Sequence, residues 1–191
     1  MTTMILGIGG TISPTSSSDT AVRVTLDRVA ALGADTRLFA GADLKQLPMY
    51  DPTAAHRTRE ASELVDAFRA CSGVIISSAA YHGSISGMLK NALDYIEDLS
   101  RDDRVYLSGV PVGLISVAKG WQAGVNNLAT LRMIVHSLRG WPTPYGAVIN
   151  TSPLPGETPE ELAVNESLAI VAGEVVRAAR MFESPLAKAS A

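Results

Sequence analysis

Met4-Ile-Leu-Gly-Ile8 is an unbroken apolar run ending at Gly9-Gly10, the pattern of a strand buried on both faces that feeds a loop. A polar stretch, Thr11 to Thr20, follows. From Ala21 the apolar positions Val22, Leu26, Val29 and Ala30 recur at helical spacing, and Gly33 stands where a helix C-cap is expected. The strand, loop and helix unit then recurs. Thr36–Ala40 reads as a second strand, and Ala61, Leu64, Val65, Phe68 and Cys71 mark a helix by their i, i+3, i+4, i+7 spacing. Gly73–Ser77 is a third strand, Met88–Leu99 a helix, Val110–Val117 a fourth strand, Val125–Leu138 a helix and Tyr145–Asn150 a fifth strand. A last helix is announced by Thr158-Pro159-Glu160-Glu161, with Thr158 as N-cap, Pro159 at the first helical position and Glu161 closing a capping box. Leu168, Val171, Val175, Ala179 and Phe182 form its apolar face.

None of these strands alternates strictly between polar and apolar, so both faces of the sheet are covered, which predicts a parallel, doubly wound α/β architecture. In such sheets ligands sit beyond the carboxyl ends of the strands, where strand order reverses; for an order 2-1-3-4-5 that point lies between the first and third strands. The loops after Ile8 and Ser77 are therefore where chemistry is expected.

At 191 residues, against about 150 per domain, the chain is expected to form one domain over residues 1–183, with residues 184–191 as a flexible tail. Hydrophobic residues make up 47% and charged ones 18%, which supplies a core and excludes general disorder. The net charge is -3 and no basic cluster occurs, so neither a nucleic-acid groove nor an anionic-membrane patch is expected. Cys71 is the single cysteine, which excludes an intrachain disulfide, and no Cys/His spacing offers a metal set. The longest apolar stretch, Gly109 to Ala118, is far short of the roughly 18 residues a membrane span needs, and the N-terminus lacks the positive region of a signal peptide. A cytoplasmic protein is expected.

The first loop, Gly9-Gly-Thr-Ile-Ser-Pro-Thr-Ser-Ser-Ser18, places hydroxyls between a strand and a helix N-terminus, where backbone N–H groups and the helix dipole favour an anion such as a phosphate. It fits neither the Walker A pattern nor Gly-x-Gly-x-x-Gly. The competing reading is a polar loop whose Ser18 merely caps the helix. In the second loop Gly83 and Gly87 allow a ligand close to the backbone, Tyr81 can lie along a planar ring, and Ser86 can cap the next helix.

The second loop, Tyr81-x-Gly-Ser84-x-x-Gly87-x-Leu89-Lys90-x-x-x-Asp94, resembles the signature of the NAD(P)H-dependent FMN reductases of the flavodoxin-like superfamily. Gly10-Thr-x-x-Pro-x-Ser16-x-Ser18 resembles that family's phosphate loop, and Leu47-Pro-Met-Tyr-Asp51 its segment after the second strand. The three motifs, in family order, span roughly residues 4–150. The resemblance implies a flavodoxin-like, doubly wound, five-stranded parallel sheet of order 2-1-3-4-5 with helices on both faces. It implies that Thr11, Ser16, Ser17 and Ser18 hold the phosphate of FMN, and that Ala79, Ala80, Tyr81, His82, Gly83 and Ser84 line its ring. Ser116, Ala118, Lys119 and Gly120 would approach the ring's far edge. Two positions depart from the family pattern: Ser13 stands where many members carry arginine, and Ala79 where many carry proline.

The implied activity is hydride transfer from NADPH or NADH to flavin N5, chemistry the cofactor supplies and for which the protein contributes position and electrostatics. No nucleophile triad or carboxylate pair is then required. Lys119 is the candidate to stabilise negative charge at the N1/O2 edge, with the N–H groups of Ala118 to Gly120 as the alternative and a solvated loop lysine as the simpler reading. Reduced flavin could pass to a partner monooxygenase. Alternatively FMN stays bound and electrons go to a quinone, azo compound, nitroaromatic or chromate-type oxyanion. A flavodoxin-type electron carrier and a phosphate-binding regulatory domain are the readings of other classes; the mild charge disfavours the first, and the Tyr81–Asp94 match disfavours the second. His82 is expected to act through its backbone, His56 and His136 to lie on the surface, and Cys71 to be core. Trp121 and Trp141 either stack on substrate or pack, and Tyr50 either enters a neighbouring subunit's site or anchors its loop. Lys90 and Asp94 can pair along one helix, which in this family commonly packs in a homodimer or homotetramer.

Overall fold

The computed structural model describes residues 3–13, 15–152 and 161–183, the side chains of 161–165 excepted. Its strands are β1 (Met4–Gly9), β2 (Asp35–Phe39), β3 (Gly73–Tyr81), a two-residue β4 (Ser84–Ile85), β5 (Pro111–Ala118) and β6 (Trp141–Asn150). Five of them form a parallel sheet in the order β2-β1-β3-β5-β6, while β4 pairs antiparallel with β3. With β4 set aside, this is the order expected from sequence. The helices are α1 (Ser17–Ala31), a single turn α2 (Gly41–Leu44), α3 (Arg59–Ala70), α4 (Gly87–Asp94), a 3-10 turn (Tyr95–Leu99), α5 (Trp121–Ser137) and α6 (Glu161–Glu183).

The period of two in a strand sorts each apolar run onto two faces. Leu6, Ile8, Val74, Ile76, Val112 and Leu114 pack with Leu64 and Phe68 of α3, Leu89 of α4 and Leu131 of α5. Ile5, Ile75 and Ile115 point the other way, against Val22, Leu26 and Val29 of α1 and Val171 and Val175 of α6. The continuous hydrophobicity of these strands is thus two interleaved half-cores.

Several boundaries differ from the expectation. β6 starts at Trp141, four residues before the predicted Tyr145, because it is an edge strand and tolerates Pro142 and Pro144 without losing an interior ladder bond. β3 continues past the apolar run to Tyr81, and α5 begins at Trp121 rather than Val125. The helix after β4 tightens into the 3-10 turn from Tyr95. The Thr158–Glu160 cap and the 184–191 tail lie outside the described residues. On α6, Leu168, Val171, Val175 and Ala179 are buried, while Phe182 is half-buried against Trp141 at 5.3 Å.

The segment after β2 is tied down by polar contacts. Tyr50 N–H donates to Asn91 Oδ1 at 2.8 Å, and Asn91 Nδ2 and the Tyr95 hydroxyl both donate to Pro48 O, at 2.8 and 3.0 Å. Arg57 donates to both Asp98 oxygens at 2.7 Å and lies 4.7 Å from the Tyr50 ring centroid; Tyr50 Oη donates to the same carboxylate at 3.1 Å. Tyr50 is therefore a loop anchor within its own chain.

The hydrogen bonds from Arg57, before any other cause, hold the Asp98 carboxyl below the usual carboxylate range. Its contribution to stability is therefore fully present above the ordinary carboxylate value of about 3.9 and is lost as pH falls through the lower folded value. Asp98→Asn is expected to cost about 1.5–3 kcal/mol at pH 7, with the wild type and variant converging in acid. Urea unfolding at pH 7 and near pH 2.5 checks this; an equal difference at both would contradict it.

Candidate functional site

Strand order reverses between β1 and β3, so the loops leaving the carboxyl ends of β1, β3 and β5 converge on one edge of the sheet. The first loop is closed on itself. Ser16 is the N-cap of α1: its Oγ accepts from Asp19 N at 3.2 Å and from Thr11 N at 3.1 Å. With both acceptor positions taken, its hydrogen is left for Ser18 Oγ at 3.1 Å. Ser16, not Ser18, caps the helix. Ser18 is buried within the first turn, Thr11 is half-buried and Ser17 is exposed. The backbone here is packed against its neighbours: a methyl group on Gly9 would lie 2.2 Å from Ser77 O. Ser77 Oγ, itself buried, has no hydrogen-bond partner among the described residues.

The second loop is a β-hairpin. Ala80 pairs with Ile85 and Tyr81 with Ser84, leaving His82 and Gly83 as a two-residue turn. Their φ values are +50° and +81°, the signs that a type I′ turn requires and that its usual Asx-Gly pair supplies most cheaply. Ala79 and Ala80 are half-buried, whereas Tyr81, His82, Gly83 and Ser84 are exposed. Space opens above this backbone: a Cβ on Gly83 would meet no atom within 4 Å. Ser86 caps α4, its Oγ accepting from Leu89 N at 3.2 Å, and Lys90 pairs with Asp94 on that helix.

The third loop follows β5. Ser116 is fully buried and its Oγ accepts from Asn127 Nδ2 at 2.9 Å; the same amide donates to Ser78 O at 3.3 Å. Asn127 thereby joins α5 to the ends of β3 and β5. The sequence reading did not single it out, because one asparagine in a helix carries no signal of burial. Gly120, at φ +109°, is the N-cap of α5, and its N–H donates to Asn150 Oδ1 at 2.9 Å. Ala118 is buried and Lys119 exposed. A cavity of about 410 Å³ opens between hairpin and helix, lined by Gly83, Lys119, Gly120, Trp121, Gln122 and Asn126. The expected site residues thus lie at or just beyond the carboxyl ends of β1, β3 and β5, and Gly83, Lys119 and Gly120 share a cavity wall.

This arrangement offers hydroxyls and helix-terminal N–H groups at one end and an open, glycine-floored shelf beside a cation at the other. Such a donor set suits a phosphorylated planar ring such as FMN. Among the described residues no cluster of three or more His, Cys, Asp or Glu could hold a metal ion, and no helix is long and apolar enough to cross a membrane.

Residues 3–152 match the family model described as NADPH-dependent FMN reductase. The chain belongs to this family. An NADPH azoreductase of Bacillus sp. (strain OY1-2) is 35% identical over 89 residues, which is 46% of this chain and 47% of that protein. The chain thus aligns with about half the length of that curated relative. Among solved structures, an oxidoreductase from Corynebacterium diphtheriae superimposes with a TM-score of 0.73 at 21% identity, covering 96% of this chain and 99% of that one. A flavodoxin from Streptococcus pneumonia TIGR4 gives 0.61 at 14% identity, covering 91% and 97%. At these identities the likeness is one of fold, and the fold is flavodoxin-like.

Proposed function

We propose that this FMN reductase family member binds FMN along the carboxyl edge of its sheet, within one domain over residues 1–183, and is an NAD(P)H:flavin oxidoreductase. The observation that carries the reading is the Tyr81–Ser84 hairpin, whose open Gly83 shelf stands beside the point where strand order reverses and shares a cavity with Lys119 and Gly120. FMN, when bound, supplies the hydride-accepting centre. Thr11, Ser16, Ser17 and Ser18 hold the phosphate, with Ser16 shaping the loop and Ser18 keeping one hydroxyl hydrogen free among the described contacts. Ala79, Ala80, Tyr81, His82, Gly83 and Ser84 support the ring. Ser116, through Asn127, fixes the height of the third loop, where Ala118, Lys119 and Gly120 face the far edge.

Changing Ser16 and Ser18 together to Ala is expected to weaken FMN at least thirtyfold while riboflavin changes less than threefold; equal losses for both would remove the phosphate from this loop. Lys119→Met is expected to slow flavin reduction about tenfold, less than the roughly hundredfold or more of a buried charge-stabilising donor because Lys119 is exposed, with FMN affinity unchanged. A fall in affinity with no fall in rate would contradict the electrostatic role.

The azoreductase names of the aligned relatives favour FMN-dependent passage of electrons to an azo compound, and a quinone is the other planar acceptor of this reading. Supply of reduced flavin to a monooxygenase is the second destination. A cytoplasmic homodimer or homotetramer is the working assembly.

A further inference from the structure

Large apolar side chains stand exposed at or beyond the carboxyl ends of four strands of the sheet. They are Ile12 after β1, Met49 after β2, Tyr81 at the end of β3 and Trp121 after β5, at 63%, 79%, 53% and 56% exposure. Tyr81 belongs to the flavin shelf described above, whereas Ile12, Met49 and Trp121 have no part in the phosphate and ring contacts. Trp121 lines a concavity. It is the first residue of α5, and it lines the cavity of about 410 Å³ with Gly83, Lys119, Gln122 and Asn126. That volume lies in the range of small-molecule sites. Its wall combines a flat apolar surface with two side-chain amides four residues apart on one helix face, a pairing suited to a planar ring that carries hydrogen-bonding groups.

We propose that Trp121 is the specificity-determining residue of this oxidoreductase, stacking a planar aromatic acceptor between its indole and the flavin ring that the Gly83 shelf supports, while Gln122 and Asn126 meet the polar atoms of that acceptor. The proposal rests on the functional reading above and adds to it the residue that selects the acceptor. For a quinone the balance is NADPH plus one proton plus quinone giving NADP⁺ plus hydroquinone, two electrons per turnover. Trp121 makes and breaks no bond. It sets which acceptors dwell in the site, so its loss affects planar acceptors and spares compact outer-sphere ones.

The chain has two tryptophans, Trp121 and Trp141. In Trp141→Phe, which keeps an aromatic ring against Phe182, indole emission reports Trp121 alone. Titration with 2-methyl-1,4-naphthoquinone in the presence of saturating FMN is expected to quench that emission saturably; linear quenching equal to that of free N-acetyltryptophanamide would overturn the proposal. In steady state, Trp121→Ala is expected to raise KM for the naphthoquinone about tenfold, the scale of a lost ring-stacking contact. Trp121→Phe changes it less than threefold, and kcat/KM for ferricyanide stays within twofold. Equal losses with both acceptors, or a lower sedimentation coefficient for Trp121→Ala, would overturn the proposal, the latter by placing the indole between two copies of the chain. Saturable quenching in a protein that oxidises no NADPH in the presence of FMN would instead contradict the functional reading and leave the role of Trp121 supported.

Discussion

Gly41→Ala is expected to lower the melting temperature by about 6–12 °C and to weaken FMN binding at least a hundredfold. A methyl group on Gly41 would lie 1.9 Å from Thr11 O and 2.6 Å from Thr11 C. Both are main-chain atoms, so no rotamer relieves the clash, and either the loop after β1 or the turn α2 must move. Overpacking of this kind costs about 3 kcal/mol at the upper end of the usual range, which at 2–4 °C per kcal/mol for a domain of this size gives the expected shift. Binding falls along with stability because Thr11 N–H is the donor that holds the loop to Ser16. Gly87→Ala is the control. Its Cβ would meet nothing within 4 Å, and the residue opens α4, so stability is expected within about 1 kcal/mol of wild type. Equal melting temperatures for the two variants, measured by circular dichroism, would contradict the close packing of the first loop.

Gly83→Val is the complementary case, a large loss of binding at little loss of fold. The residue sits at φ +81° in an exposed turn, where a β-branched side chain is strained by roughly 1–3 kcal/mol. The hairpin contributes only two residue pairs to the sheet, so the melting temperature is expected to fall by a few degrees. Its isopropyl group would project into the open space above the turn, and FMN affinity is expected to fall at least a hundredfold. Gly83→Ala brings the strain with less bulk and is expected to fall between. Wild-type FMN affinity in Gly83→Val would exclude the hairpin from the site.

Gly83 and Gly87 are positions the sequence already distinguishes, whereas Gly41 stands out only once Thr11 packs against it, and the reason is physical. Close approach and left-handed backbone both demand glycine, so Gly9, Gly10, Gly83 and Gly120 mark loop geometry in one-dimensional text. The parallel, doubly wound class was legible because the apolar runs are continuous, which only a sheet covered on both faces permits; the strand order came with the family resemblance. The features that stayed hidden depend on partners distant in sequence. Asn127 reads as an ordinary polar helix residue until Ser78 and Ser116 stand beside it. The start of α5 was placed late because Gly120 gives it no capping side chain. β4 was missed because two residues carry no periodicity. Ser16 and Ser18 are equivalent as text, and only the chain path decides that Ser16 caps while Ser18 turns inward. For Tyr50, sequence left two roles open, and Asp98 with Arg57 shows the intrachain anchor.

The most direct test of the central claim is an anaerobic absorbance titration: one equivalent of FMN added to the purified protein, then NADPH or NADH in steps, followed at 450 nm and 340 nm. The expected result is a perturbed flavin spectrum on mixing and stoichiometric bleaching of the 450 nm band as the nucleotide is consumed. An unperturbed FMN spectrum that neither nucleotide bleaches would contradict the assignment of the sheet's carboxyl edge as a flavin reductase site.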